Sequence, residues 1–68
     1  MNNELILKNN IKDYRKRKNL SQDELAQKVG TTRQTIIAIE KGQFNPSAKL
    51  ALLLCFALDT TFENLFFF

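Results

Sequence analysis

The chain has 68 residues, 44% of them hydrophobic and 25% charged, with a net charge of +3. This composition is globular rather than disordered, and a chain so short buries only about 60% of its unfolded surface, so a single domain over residues 1–68 with one small core is expected. The lone cysteine, Cys55, excludes an intramolecular disulfide, and the longest apolar run, Leu50 to Leu58, is far shorter than the ~20 residues of a membrane helix.

The opening "MNNEL" has neither a basic segment nor a small-residue cleavage site, so no secretion signal is read and a cytoplasmic location is expected. "ELILK" (4–8), rich in large apolar residues, predicts a brief strand. From Asn9 or Asn10 to Lys18, Ile11, Tyr14 and Arg15 recur at helical spacing, predicting a first helix that Asn19 and Leu20 break. Six of the ten basic residues (Lys8, Lys12, Arg15, Lys16, Arg17 and Lys18) fall here, opposed only by Asp13. A polyanion partner and a merely solvated helix face both account for that excess.

Ser21 followed three residues on by Glu24 is the capping-box spacing and starts a second helix. Leu25, Ala26 and Val29 face one way along it, and Gly30 suits the left-handed stop. Thr32 is the natural cap of a third helix running to about Lys41, with Ile36 and Ile39 inward and Gly42 at its end. Its opening, Thr31 to Thr35, is far more polar than a helix serving only to fill a core requires. "QFNPS" reads as a loop, because Asn45 before Pro46 is biased toward extended backbone.

Ser47 caps a fourth helix ending at Leu58, Asp59 and Thr60 turn the chain, and Thr61 caps a short fifth helix, "FENLF". On a wheel of 100° per residue, Ala48, Ala51, Leu52, Cys55 and Leu58 share one arc, which should pack on helices two and three. The opposite arc carries Leu50, Leu53, Phe56 and Ala57, with Lys49 alone to wet it. A helix that is apolar all round needs cover on both sides. A homodimer is therefore expected, its interface formed by Leu50, Leu53, Phe56, Ala57, Phe62, Leu65, Phe66, Phe67 and Phe68, with "ELILK" available to pair as a strand. Cys55 reads as a small core residue.

The spacing across residues 22–41 resembles the helix-turn-helix of phage repressor and Cro proteins, the XRE family. "LSQDELAQKVGTTRQTIIAIEKGQFNPS" is similar to that family from Leu20 to Ser47 without a gap, and "ALDTTFENLF" is similar to its closing helix. The "NNIKDYRKRKNLSQ" opening, the apolar fourth helix and the short apolar ends resemble most the small stand-alone repressors of the cytolysin-repressor type. The resemblance implies a mainly α, five-helix lambda-repressor-like domain, with a short two-stranded β ribbon available from the chain ends. Its third helix would lie in the DNA major groove.

Several site roles follow from the resemblance. Gln22 would bond a phosphate at the start of helix two. Thr32 would cap helix three and touch the DNA backbone. Arg33 suits guanine O6 and N7, Gln34 suits adenine N6 and N7, and Thr35 would meet a phosphate or a thymine methyl. Ile37 and Ala38 would offer apolar contact to thymine methyls. Lys41, Gln43 and Asn45 would hold phosphates and set register. Arg15 would pair with Glu40 as a structural tie between helices one and three.

The implied function is a sequence-specific regulator of transcription binding double-stranded DNA, a repressor that takes a near-palindromic operator as a homodimer. The rival reading is a protein-interaction module, antitoxin-like, that uses the apolar surface of helix four and the C-terminus. Membrane-surface binding through the basic first helix and terminal phenylalanines is a further alternative. The chain has no histidine, its acids are scattered, and neither a glycine-rich loop nor metal-ligand spacing occurs. No catalysis, metal, cofactor or small-molecule ligand is therefore expected.

Overall fold

The structure, a computed structural model, describes residues 6–68. Among these, five helices follow one another: α1 (Ile11–Arg17), α2 (Gln22–Val29), α3 (Arg33–Glu40), α4 (Ala48–Leu58) and α5 (Phe62–Leu65). Two short strands, β1 (Lys8–Asn9) and β2 (Phe66–Phe67), pair antiparallel with Lys8 opposite Phe67 and Asn9 opposite Phe66. The ribbon thus joins the two ends of the described chain. Residues 4 and 5 of the predicted strand lie outside the described residues, and the pairing falls at its last residue and the one beyond.

Four hydroxyl side chains decide where helices begin. Ser21, Thr32, Ser47 and Thr61 are extended, and each accepts from the backbone N–H three residues on, relieving one of the donors that a helix start leaves unpaired. At Ser21 the box closes in both directions. Glu24 N–H donates to Ser21 Oγ at 3.0 Å, and Ser21 N–H donates to Glu24 Oε1 at 2.8 Å. Those two bonds hold the Glu24 carboxyl below its usual pKa, the backbone one contributing most.

The first helix is capped differently. Asn9 Oδ1 accepts from Ile11 N–H at 3.2 Å, while its Nδ2 donates to the Ile39 carbonyl at 2.8 Å. One side chain therefore starts α1 and ties it to α3. Gly30 ends α2 at φ +74°, and a Cβ there would meet nothing within 4 Å. Backbone conformation, not space, demands glycine at that turn.

Ile11, Leu25, Ile36, Ile39, Leu54, Leu58 and Leu65 are fully buried and form the centre of one core. Helix α4 enters it by the predicted face turned toward Leu54, with Ala51, Cys55 and Leu58 buried as expected and Ala48 and Leu52 not. Leu54 is fully buried, whereas Leu52 is 56% exposed and Ala48 is also exposed. On the wheel Leu52 lies about 100° to one side of Ala51, while Leu54 lies about 60° to the other side, beyond Leu58, so the buried arc runs from Leu54 to Cys55.

The predicted association surface changes accordingly. Leu65 is fully buried and Phe66 nearly so, both in the core of the single chain. Helix α5 is only four residues long, so Leu65 anchors it, and Phe66 follows at the pleat of β2. Leu50, Leu53 and Ala57 are half-buried against the core. Phe56 is 82% exposed, and Leu52, Phe62, Phe67 and Phe68 are exposed with it.

Candidate nucleic-acid interface

Helices α2 and α3 pack around Leu25, Ala26, Val29, Ile36 and Ile39, all buried. Thr31 N–H donates to the Ala26 carbonyl at 2.9 Å, closing the turn that Gly30 permits. Because Ile36 and Ile39 turn inward, the opposite face of α3 must point out. It carries Arg33 and Gln34, both exposed, and Thr35, Ile37 and Ala38, all half-buried. Lys41, Gln43 and Asn45 follow, exposed.

The first turn of α3 is internally braced. Thr32 Oγ1 accepts from Thr35 N–H at 3.2 Å, and the two hydroxyl oxygens are 3.0 Å apart. Beyond the helix, Gly42 at φ +75° reverses the chain. Gly42 N–H donates to the Ile39 carbonyl at 2.9 Å and Gln43 N–H to the Ala38 carbonyl at 2.8 Å. The loop after α3 is thereby fastened back onto the helix. Phe44, which the sequence reading left unassigned, is 49% exposed there and lines a hollow of about 370 Å³ with Gln34, Thr35, Ala38 and Gln43. The one sequence signal for it is an aromatic residue standing between polar neighbours in a loop.

The far end of α3 is held by charge. Arg15 Nε donates to Glu40 Oε2 at 2.8 Å, Nη2 to Glu40 Oε1 at 3.3 Å, and Nη1 to the Leu20 carbonyl at 2.9 Å. Gln22 Nε2 joins them, donating to Glu40 Oε1 at 3.1 Å. Sequence reasoning placed Gln22 on a phosphate and missed this bond, because Glu40 is 18 residues away. An amide carries two N–H donors, so one remains for a phosphate.

The basic stretch is partly engaged within the chain. Arg15 is buried in its ion pair, Arg17 lies 4.5 Å over the Tyr14 ring, and Lys18 meets Asp59 at 3.6 Å. Lys8, Lys12 and Lys16 remain exposed. Among the described residues, no His, Cys, Asp and Glu side chains group as metal ligands, and no helix is long and apolar enough to cross a membrane. Burial pushes the Cys55 thiol up, with Glu63 adding to the shift.

An outward polar helix on a braced two-helix bracket is the geometry of a DNA-reading module. A helix-turn-helix family profile matches residues 11–65, and the chain belongs to that family, of the XRE type. It is a DNA-binding regulator of transcription whose partner is double-stranded DNA.

Its relatives agree. Over 62 residues it is 47% identical to the HTH-type transcriptional regulator MJ0272 of Methanocaldococcus jannaschii, covering 91% of this chain and 94% of that one. Over 60 residues it is 47% identical to the HTH-type transcriptional regulator YgzD of Bacillus subtilis, covering 88% and 91%. Among solved structures it resembles the restriction-modification controller protein C.AhdI of Aeromonas hydrophila, at 35% identity and a TM-score of 0.74, covering 79% of this chain and 78% of that one. The clp gene regulator ClgR of Corynebacterium glutamicum shares the fold at 23% identity and a TM-score of 0.72, over 76% of this chain and 55% of that one.

Proposed function

We propose that residues 1–68 act as one domain that represses transcription by occupying a near-palindromic operator as a homodimer, with α3 in the major groove. The observation that carries this reading is the outward row of Arg33, Gln34 and Ala38 along α3, continued by Lys41 and Gln43. Arg33 and Gln34 read base edges; Thr35, Ile37 and Ala38 lie against the groove wall or thymine methyls; Gln22, Thr32, Lys41, Gln43 and Asn45 take phosphates.

The dimer is supported by a second observation. Phe56, Phe68 and Leu52 are 82%, 67% and 56% exposed, with Phe62 and Phe67 also open. Burying three such side chains contributes about 1.5–3 kcal/mol each before the cost of association. Two-fold pairing would set two α3 helices about 34 Å apart, one turn of B-DNA. Repression needs nothing further than a bound operator overlapping a promoter.

Selection from random duplex DNA tests the reading. Enriched sequences should contain inverted half-sites centred about one helical turn apart. Recovery of no enriched sequence would reject it, and recovery of single half-sites would reject the dimer. The same exposed aromatic patch favours the second reading, a module that binds another protein. A monomer at tens of micromolar that still binds DNA would turn attention to that partner.

A further inference from the structure

Phe44 is the exposed aromatic residue that neither the core nor the proposed dimer surface uses. It shares its hollow with Gln34, Thr35 and Ala38 of α3, and with Gln43 beside it. Gln34, Thr35 and Ala38 lie at i, i+1 and i+4, so they present neighbouring positions on one side of α3. The loop that carries Phe44 is not free to swing. Gln43 N–H bonds the Ala38 carbonyl at 2.8 Å on one side, and Asn45 precedes the rigid Pro46 on the other.

We propose that Phe44 and Ala38 form a seat for the C5-methyl of one thymine, making Phe44 a specificity-determining residue for the operator. The inference rests on α3 entering the major groove, and it adds a reader from outside the helix. The hollow is lined by the apolar side chains of Phe44 and Ala38 together with Gln34, Thr35 and Gln43. Among the major-groove edges of the bases, thymine alone offers a methyl, and phenylalanine and alanine are suited to meet it. A cytosine at that place presents only a C5–H to the seat and leaves it unfilled.

The test uses the full chain and the duplex enriched by the selection above. Each thymine is replaced in turn by deoxyuracil, which removes the methyl alone, and binding is measured by fluorescence anisotropy for the wild type, Phe44→Ala and Phe44→Leu. At one symmetric thymine position, uracil should weaken wild-type binding about fourfold, the effect of burying one methyl-sized group. Phe44→Ala, which removes the ring from both subunits, should weaken binding to the thymine duplex about 16-fold and be indifferent to uracil there, while Phe44→Leu should keep part of the preference. Wild-type indifference to uracil at every position overturns the proposal, as does an equal uracil effect in wild type and Phe44→Ala. The wild-type arm needs no folded variant. Absence of any enriched duplex, by contrast, is the failure of the DNA-reading proposal itself.

Discussion

Arg15 and Glu40 form an ion pair at 2.8 Å whose two side chains are each more than nine-tenths buried, joining the first helix to the end of α3. Glu40 also takes the amide of Gln22, so a single carboxylate gathers α1, the start of α2 and the end of α3. Removing one partner leaves the other charge buried and uncompensated. Glu40→Ala should therefore cost about 3–5 kcal/mol, while Arg15→Met combined with Glu40→Leu should cost distinctly less. Urea unfolding of the three proteins decides it; a double variant as unstable as the single one would contradict the argument.

The Arg33 and Gln34 side chains are exposed, so their loss should leave folding untouched. Gln34→Ala should lose about 1–3 kcal/mol of discrimination at one base pair of the selected operator. Arg33→Glu should abolish specific binding while sedimentation and thermal melting stay as in the wild type. A fall in melting temperature along with binding would show that these side chains serve the fold.

Binding should weaken steeply with salt. If two subunits neutralise about 6–8 phosphates, a plot of log affinity against log salt should have a slope near −5 to −7. Lys41→Ala should make that slope shallower by about 1–2, since each dimer loses two contacts. An unchanged slope would remove Lys41 from the phosphate contacts.

The exposed and buried aromatics should behave oppositely. Phe56→Glu should give a folded monomer by analytical ultracentrifugation, with operator affinity lost through loss of the second half-site. Leu65→Ala, at a fully buried position, should cost about 2–5 kcal/mol of stability whatever the protein concentration. Concentration-dependent melting of the wild type, absent in Phe56→Glu, would link the patch to self-association.

The α2 capping box should be visible in the pH dependence of stability. Glu24 has a lowered pKa in the folded protein, held down by Ser21. Its contribution is therefore present above the unfolded value of about 4.3 and is lost as pH falls through the lower folded value. The melting temperature of the wild type should exceed that of Glu24→Ala at neutral pH, and the gap should narrow as the solution is acidified toward pH 3. A constant gap would assign the box to neutral hydrogen bonding alone.

Much of this fold is legible in the order of residues because its signals are short-range. A hydroxyl and the N–H three positions on, or a glycine where the backbone must turn left-handed, involve only a few consecutive residues. Ser21, Thr32, Ser47, Thr61, Gly30 and Gly42 accordingly mark helix ends in sequence and structure alike. The outward face of α3 is legible for the same reason, since Ile36 and Ile39 define its inward side.

What local spacing could not decide was which of many apolar side chains the core would take. Helix α4 is apolar around nearly its whole circumference, so no contrast along it reveals that Leu54, not Leu52, faces inward. Leu65 and Phe66 look like their exposed neighbours until the β1–β2 ribbon draws the C-terminus back beside Lys8 and Asn9. Gln22 and Asn9 find partners at Glu40 and Ile39, 18 and 30 residues away. The chain order alone determined where helices start, stop and turn polar, because those choices are settled between close neighbours along the backbone. Three-dimensional packing decided which apolar surface is hidden and which polar groups meet, because such contacts exist only once distant segments share the same space.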